Sequence, residues 1–114
     1  MKKQAIIGKN GEDLAKDFLI KKNYSILFSN WRHKRSEIDI IAKKDNRIIF
    51  VEVKVRNNQS FGFPEDFVDK TKIKKMHEAA DAYIEEFDWK GELQFDIIAI
   101  ENGNKITHFE DAFY

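Results

Sequence analysis

The apolar residues of this 114-residue chain recur first at helical spacing, then at every second position, then at helical spacing again, and finally at every second position. Ile7, Gly11, Leu14, Ala15, Phe18 and Leu19 fall on one helical stripe, and Lys21-Lys22-Asn23 supply a cationic last turn and a stop. Gly8 and Gly11 each cost about 1 kcal/mol of helix propensity relative to alanine, which predicts a close approach to another backbone. A strand over 24–31 follows, with Ser25, Leu27, Ser29 and Trp31 on one face and Tyr24, Ile26 and Phe28 on the other. Two further strands, over 37–42 and 47–56, flank a turn built around Asp45-Asn46. Residues 57–64 carry amide, serine, glycine and the only proline, and read as a loop. Ile73, Met76, Ala80, Tyr83, Ile84 and Phe87 predict a long amphipathic helix whose first turns hold Lys70, Lys72, Lys74 and Lys75. Strands over 93–101 and 105–109, around Asn102-Gly103-Asn104, complete the order helix, three strands, helix, two strands.

The strand over 47–56 contains an anomaly. Ile49, Val51, Val53 and Val55 share one face, so Phe50, Glu52 and Lys54 share the other, and two ionisable groups point the same way. A two-residue turn at Asp45-Asn46 sets Lys44 opposite Arg47, Asp39 opposite Glu52, and Glu37 opposite Lys54. Like charges directly opposite in a sheet cost about 0.2–1 kcal/mol when exposed, and more when desolvated. A cation is needed between them. A divalent ion with oxygen ligands is one candidate; Lys54 or a nearby arginine is the other.

The length suits one domain, 1–114, able to bury roughly two-thirds of its unfolded surface. With no cysteine, disulfides and thiolate zinc sites are excluded, which is compatible with a cytoplasmic location. The basic amino terminus lacks a signal-length apolar stretch, and no segment nears the roughly 20 apolar residues of a membrane span, so no membrane partner is expected. A formal net charge of zero conceals an asymmetry: residues 1–75 hold 18 Lys plus Arg against 10 Asp plus Glu (+8), and residues 76–114 hold 2 against 10 (−8). A positive field attracts phosphates. Arg32, Lys34 and Arg35 in a basic turn, with Arg56 and Lys72, are the candidate nucleic-acid-binding residues. His33, His77 and His108 lack motif context and read as surface residues, and Gly8 and Gly11 do not follow a strand as a phosphate loop would. What remains is Glu12, Asp39, Glu52, Lys54 and Lys72, residue types that fit phosphodiester hydrolysis: acids hold Mg²⁺ and lysine stabilises the anionic transition state.

Gly8, Gly11-Glu12, Ala15, Asn30, Arg32, Glu37-Ile38-Asp39, the run Phe50-Val51-Glu52-Val53-Lys54-Val55-Arg56, Phe61-Gly62, Lys72, Ala79, Asp96 and Asp111-Ala112-Phe113 together resemble the YraN family of small bacterial proteins. That family is related to the PD-(D/E)XK nuclease superfamily and its archaeal Holliday-junction resolvases. The resemblance implies an α/β, restriction-endonuclease-like fold with a mixed central sheet flanked by helices, in the order αβββαββ. It implies Asp39 and Glu52 as the acids binding Mg²⁺ or Mn²⁺, Lys54 as the catalytic lysine, Glu12 as an auxiliary acid and Lys72 as a phosphate contact. DNA, with branched DNA as one form, is the implied substrate, and a homodimer the implied assembly. Ser36 and Gln94 depart from the family's usual glycine and arginine, and Asp96 reads as a structural partner for a basic residue. Two other readings stand beside this one: a non-catalytic nucleic-acid-binding module with the same fold, and an interaction protein using the acidic helix over 78–88.

Overall fold

The turn at Asp45-Asn46 sets the centre of the fold. Asp45 adopts a left-handed conformation (φ 56°), and the flanking strands pair antiparallel from Lys44 opposite Arg47 to Ile40 opposite Val51, the predicted register. The structure, a computed structural model, describes residues 2–56, 69–103 and 105–113, and of residues 2–10 the backbone alone. The predicted loop over 57–64, with Phe61-Gly62, and Asn104 of the last turn lie outside the described residues, as do the side chain of Ile7 and the packing at Gly8.

The elements are α1 (Lys2–Lys21), β1 (Ser25–His33), β2 (Ser36–Lys44), β3 (Arg47–Arg56), α2 (Lys70–Phe87), β4 (Glu92–Glu101) and β5 (Lys105–Phe109), in the order the periodicity predicts. They form an α/β structure with one mixed five-stranded sheet, ordered β1-β2-β3-β4-β5, in which only β3 and β4 are parallel. Parallel neighbours need a crossover, and α2 provides it. Among the described residues, no helix is long and apolar enough to cross a membrane.

The helices cover opposite faces. On one, Ala15 and Leu19 of α1 pack against Ile40, Ala42, Ile49, Val51, Ile98 and Ile100; on the other, Ala79, Ala80 and Tyr83 of α2 pack against Ile38, Ile41, Ile48 and Phe50. Gly11 does come close to a neighbour, but to a side chain rather than a backbone: a Cβ there would lie 2.6 Å from Val55 Cγ2. Asp69 caps α2 by accepting a 2.8 Å hydrogen bond from the Lys72 amide.

β1 departs from the expected alternation. Ile26 packs towards α1, whereas Phe28 and Trp31 both pack towards α2. A bulge between Ile26 and Phe28 shifts the register, and Asn30 in a left-handed conformation (φ 53°) shifts the facing again. Two local irregularities thus place both rings against Tyr83, Phe28 at 5.8 Å and Trp31 at 5.5 Å between centroids.

Candidate active site

The site begins where the β2–β3 ladder ends. The pairing of β2 with β3 stops at Ile40–Val51, one residue short of the predicted Asp39–Glu52 pair, and the Asp39 carboxylate instead meets the β3 backbone, its Oδ2 accepting a 2.8 Å hydrogen bond from the Val53 amide. Glu52 is buried, 4% exposed, on the α2 face of β3. Its Oε2 lies 3.5 Å from Lys54 Nζ, two residues along the same face. Its Oε1 lies 3.5 Å from Lys72 Nζ, delivered by the first turn of α2.

Two lysines do not neutralise this corner. Burial first, and the Glu52 charge second, push Asp39 from 3.8 up to about 6, although the Val53 amide and Lys72 both pull it down. Glu52 Oε1 is buried without a hydrogen-bond partner. An acceptor without a hydrogen bond, beside a second carboxylate held above its ordinary range, fits a hard divalent cation, which would add its charge to that of the two lysines. Asp39 and Glu52 would hold it. Among the described residues, no group of three or more acidic or histidine side chains converges, so water or a phosphate would complete the coordination.

The first turns of α2 break a local rule. Lys70, Lys72, Lys74 and Lys75 crowd a helix N-terminus where the backbone dipole already disfavours cations. Such a concentration is costly for the helix alone and suits an anion approaching from outside.

A family model described as "Uncharacterised protein family UPF0102" matches residues 11–100. The chain is 50% identical to a UPF0102 protein of Flavobacterium psychrophilum over 95% of its own length and 93% of the relative's. It is 45% identical to one of Christiangramia forsetii (95% and 93%) and 42% identical to one of Parabacteroides distasonis (100% and 97%). The chain belongs to the UPF0102 (YraN) family. The UPF0102 match includes both acids, both lysines and Glu12.

Glu12 does not converge on the acid pair. Its Oε1 accepts a 3.1 Å hydrogen bond from Asn30 Nδ2, and Asn30, between the pairs Ser29–Ile40 and Trp31–Ile38, lies beside Asp39 in the ladder. Glu37, expected opposite Lys54, instead faces β1, where Arg32 Nη2 lies 3.4 Å from its Oε1. Arg32 is thereby spoken for on an exposed strand. Lys34 and Arg35 form the β1–β2 turn, and Arg56 ends β3 in register with Glu101.

Ser36 and Gln94 fall on different sides of the sheet. Ser36 is buried at the start of β2, near the basic turn. Gln94 bridges Arg47 and Asp96, at 3.1 and 2.9 Å, on the face opposite Glu52. Asp96 is fully buried and also accepts from the Asp111 amide at 2.9 Å and from His108 Nε2 at 2.7 Å. His108 is therefore no surface residue. Its Nδ1 lies 3.0 Å from the Lys22 ammonium, which can only donate, so the ring proton sits on Nε2 and points to Asp96. His77 also turns inward, its ring 4.7 Å from that of Phe95. The signal for His108 in the sequence is its place two residues after the inward Ile106, on the same face of β5.

Proposed function

We propose that this chain is a Mg²⁺-dependent endonuclease-like domain with a restriction-endonuclease-like fold, acting on DNA phosphodiesters. The observation that carries the reading is the pair Asp39 and Glu52, side by side at a ladder end, with Glu52 Oε1 unpartnered and Lys54 and Lys72 each 3.5 Å from Glu52. Bound Mg²⁺ would polarise the scissile phosphate and lower the pKa of the attacking water. The two acids orient that cation. Lys54 and Lys72, on either side of Glu52, are placed to turn towards phosphoryl oxygens and stabilise the charge that develops on them. Burial of Glu52 lowers the local dielectric and strengthens those contacts.

Linear, single-stranded, flapped and four-way DNAs incubated with Mg²⁺ or Mn²⁺ test this. Cleavage of at least one is expected, lost in Asp39→Ala and in Glu52→Ala while DNA binding is largely kept. A second reading, a nucleic-acid-binding module that cuts nothing, draws on the two lysines already beside Glu52 and on the lack of a converging third acid among the described residues. Salt-sensitive binding without cleavage of any of these substrates establishes that alternative.

A further inference from the structure

One turn beyond Lys72 on α2, Lys75 and Glu78 form one wall of a cleft of about 520 Å³ whose other wall is the start of β2 and the β1–β2 turn: His33, Lys34, Arg35 and Ser36. Residues three apart on a helix are surface neighbours, so the cleft opens beside the lysine that touches Glu52. Lys34, in a left-handed conformation (φ 56°), Arg35 and Lys75 are exposed and give the rim three cations against the single carboxylate of Glu78. The imidazole of His33 lies nearly parallel to the indole of Trp31, 11° between planes and 6.4 Å between centroids, and Trp31 is itself held edge-on by Tyr83. The His33 ring that lines the cleft is thus backed by an aromatic pair.

We infer that this cleft seats one unpaired nucleotide of a DNA strand, with its base on His33, an exocyclic amino group donating to Glu78 and its phosphate on Lys34, Arg35 and Lys75. A flat ring stacks on a braced imidazole irrespective of sequence, and three cations match a phosphodiester. The carboxylate adds the selectivity. It only accepts, so it pairs with the N4 amino group of cytosine and faces a carbonyl oxygen at the same place in thymine. In a duplex both faces of the base are covered by its stacked neighbours, so a base lying on His33 must be unstacked and the occupant unpaired. The inference rests on the nuclease reading for the neighbouring phosphate, and it narrows the substrate to DNA with a single-stranded residue beside the cut.

Binding of fluorescent oligo-dC, oligo-dT and a mixed-sequence duplex of equal length, measured by anisotropy in EDTA at low salt, decides it without any cleavage. The wild type is expected to hold oligo-dC about fivefold more tightly than oligo-dT, and the duplex less tightly than oligo-dC. Glu78→Ala should equalise the two oligonucleotides, and Lys34→Ala with Lys75→Ala should weaken both by the same factor. Equal binding of oligo-dC and oligo-dT by the wild type, an unchanged preference in Glu78→Ala, or no single-strand binding at all overturns the inference. A dC preference that persists when no DNA is cut with Mg²⁺ supports the cleft and removes the nuclease reading; cleavage without that preference does the reverse.

Discussion

The nearness of Asp39 and Glu52 was legible because strand alternation and a two-residue turn are strictly local rules, and the pairing from residue 40 to residue 51 is regular. The strain of the pair has a measurable sign. The folded pKa of Asp39, about 6, lies above its ordinary 3.8, so the folded state favours the proton. The ionised form therefore costs stability, with none of the penalty near pH 4, growth as pH rises to 6, and the full effect above it. Asp39→Asn should thus stabilise the metal-free protein by roughly 1–3 kcal/mol at pH 8, with the gain vanishing by pH 4, in urea titrations at both pH values. A less stable variant at pH 8 would remove the repulsion argument. His108 and Asp96 were harder to read, because neither names its partner and the pair spans separate strands. Asp96→Ala strands three donors in the interior and should cost about 3 kcal/mol by the same titration. Removing the exposed Arg32–Glu37 contact by Arg32→Ala should change stability by less than about 0.5 kcal/mol.

At the scale of elements, each helix and strand announced itself through its period, and the Asp45-Asn46 turn fixed one register outright. What periodicity did not carry was β1, where the bulge and Asn30 exchange faces without changing composition. Nor could it show that β3 lies parallel to β4, since partner choice between distant strands leaves no local trace. The join between these strands and the central hairpin depends on Gly91. The Glu92 amide donates to the Asn46 carbonyl at 2.9 Å, and a Cβ on Gly91 would come within 2.6 Å of that same oxygen. Gly91→Ala must push the start of β4 off the turn, and a loss of about 1–3 kcal/mol is expected in chemical denaturation. Wild-type stability for this variant would show the contact to be slack.

For the molecule as a whole, the charge asymmetry seen in composition corresponds to where the candidate residues lie. The first 75 residues supply the acid pair, Lys54, Lys72 and most of the basic cleft, and only Glu78 of that cleft comes from the acidic remainder. Composition gave the sign of the field and could not give its focus, because Lys72 and Lys75 reach the site only through the crossover helix. A cation bound by the folded state alone raises stability with the logarithm of its concentration over Kd, by about 3 kcal/mol at a hundredfold excess. Mn²⁺ should therefore raise the melting temperature of the wild type, and Glu52→Gln should abolish the rise; an equal rise in that variant would place the ion elsewhere. The crossover also has a temporal consequence. The two acids lie 13 residues apart and meet through a tight reversal that closes within microseconds, whereas Lys72 is 20 residues from Glu52 and docks only with the slower parallel pairing of β3 and β4. During synthesis, then, the mutually repelling acids emerge from the ribosome with Lys54 but ahead of Lys72, so the corner holds only one of its two ammonium groups until the crossover helix arrives.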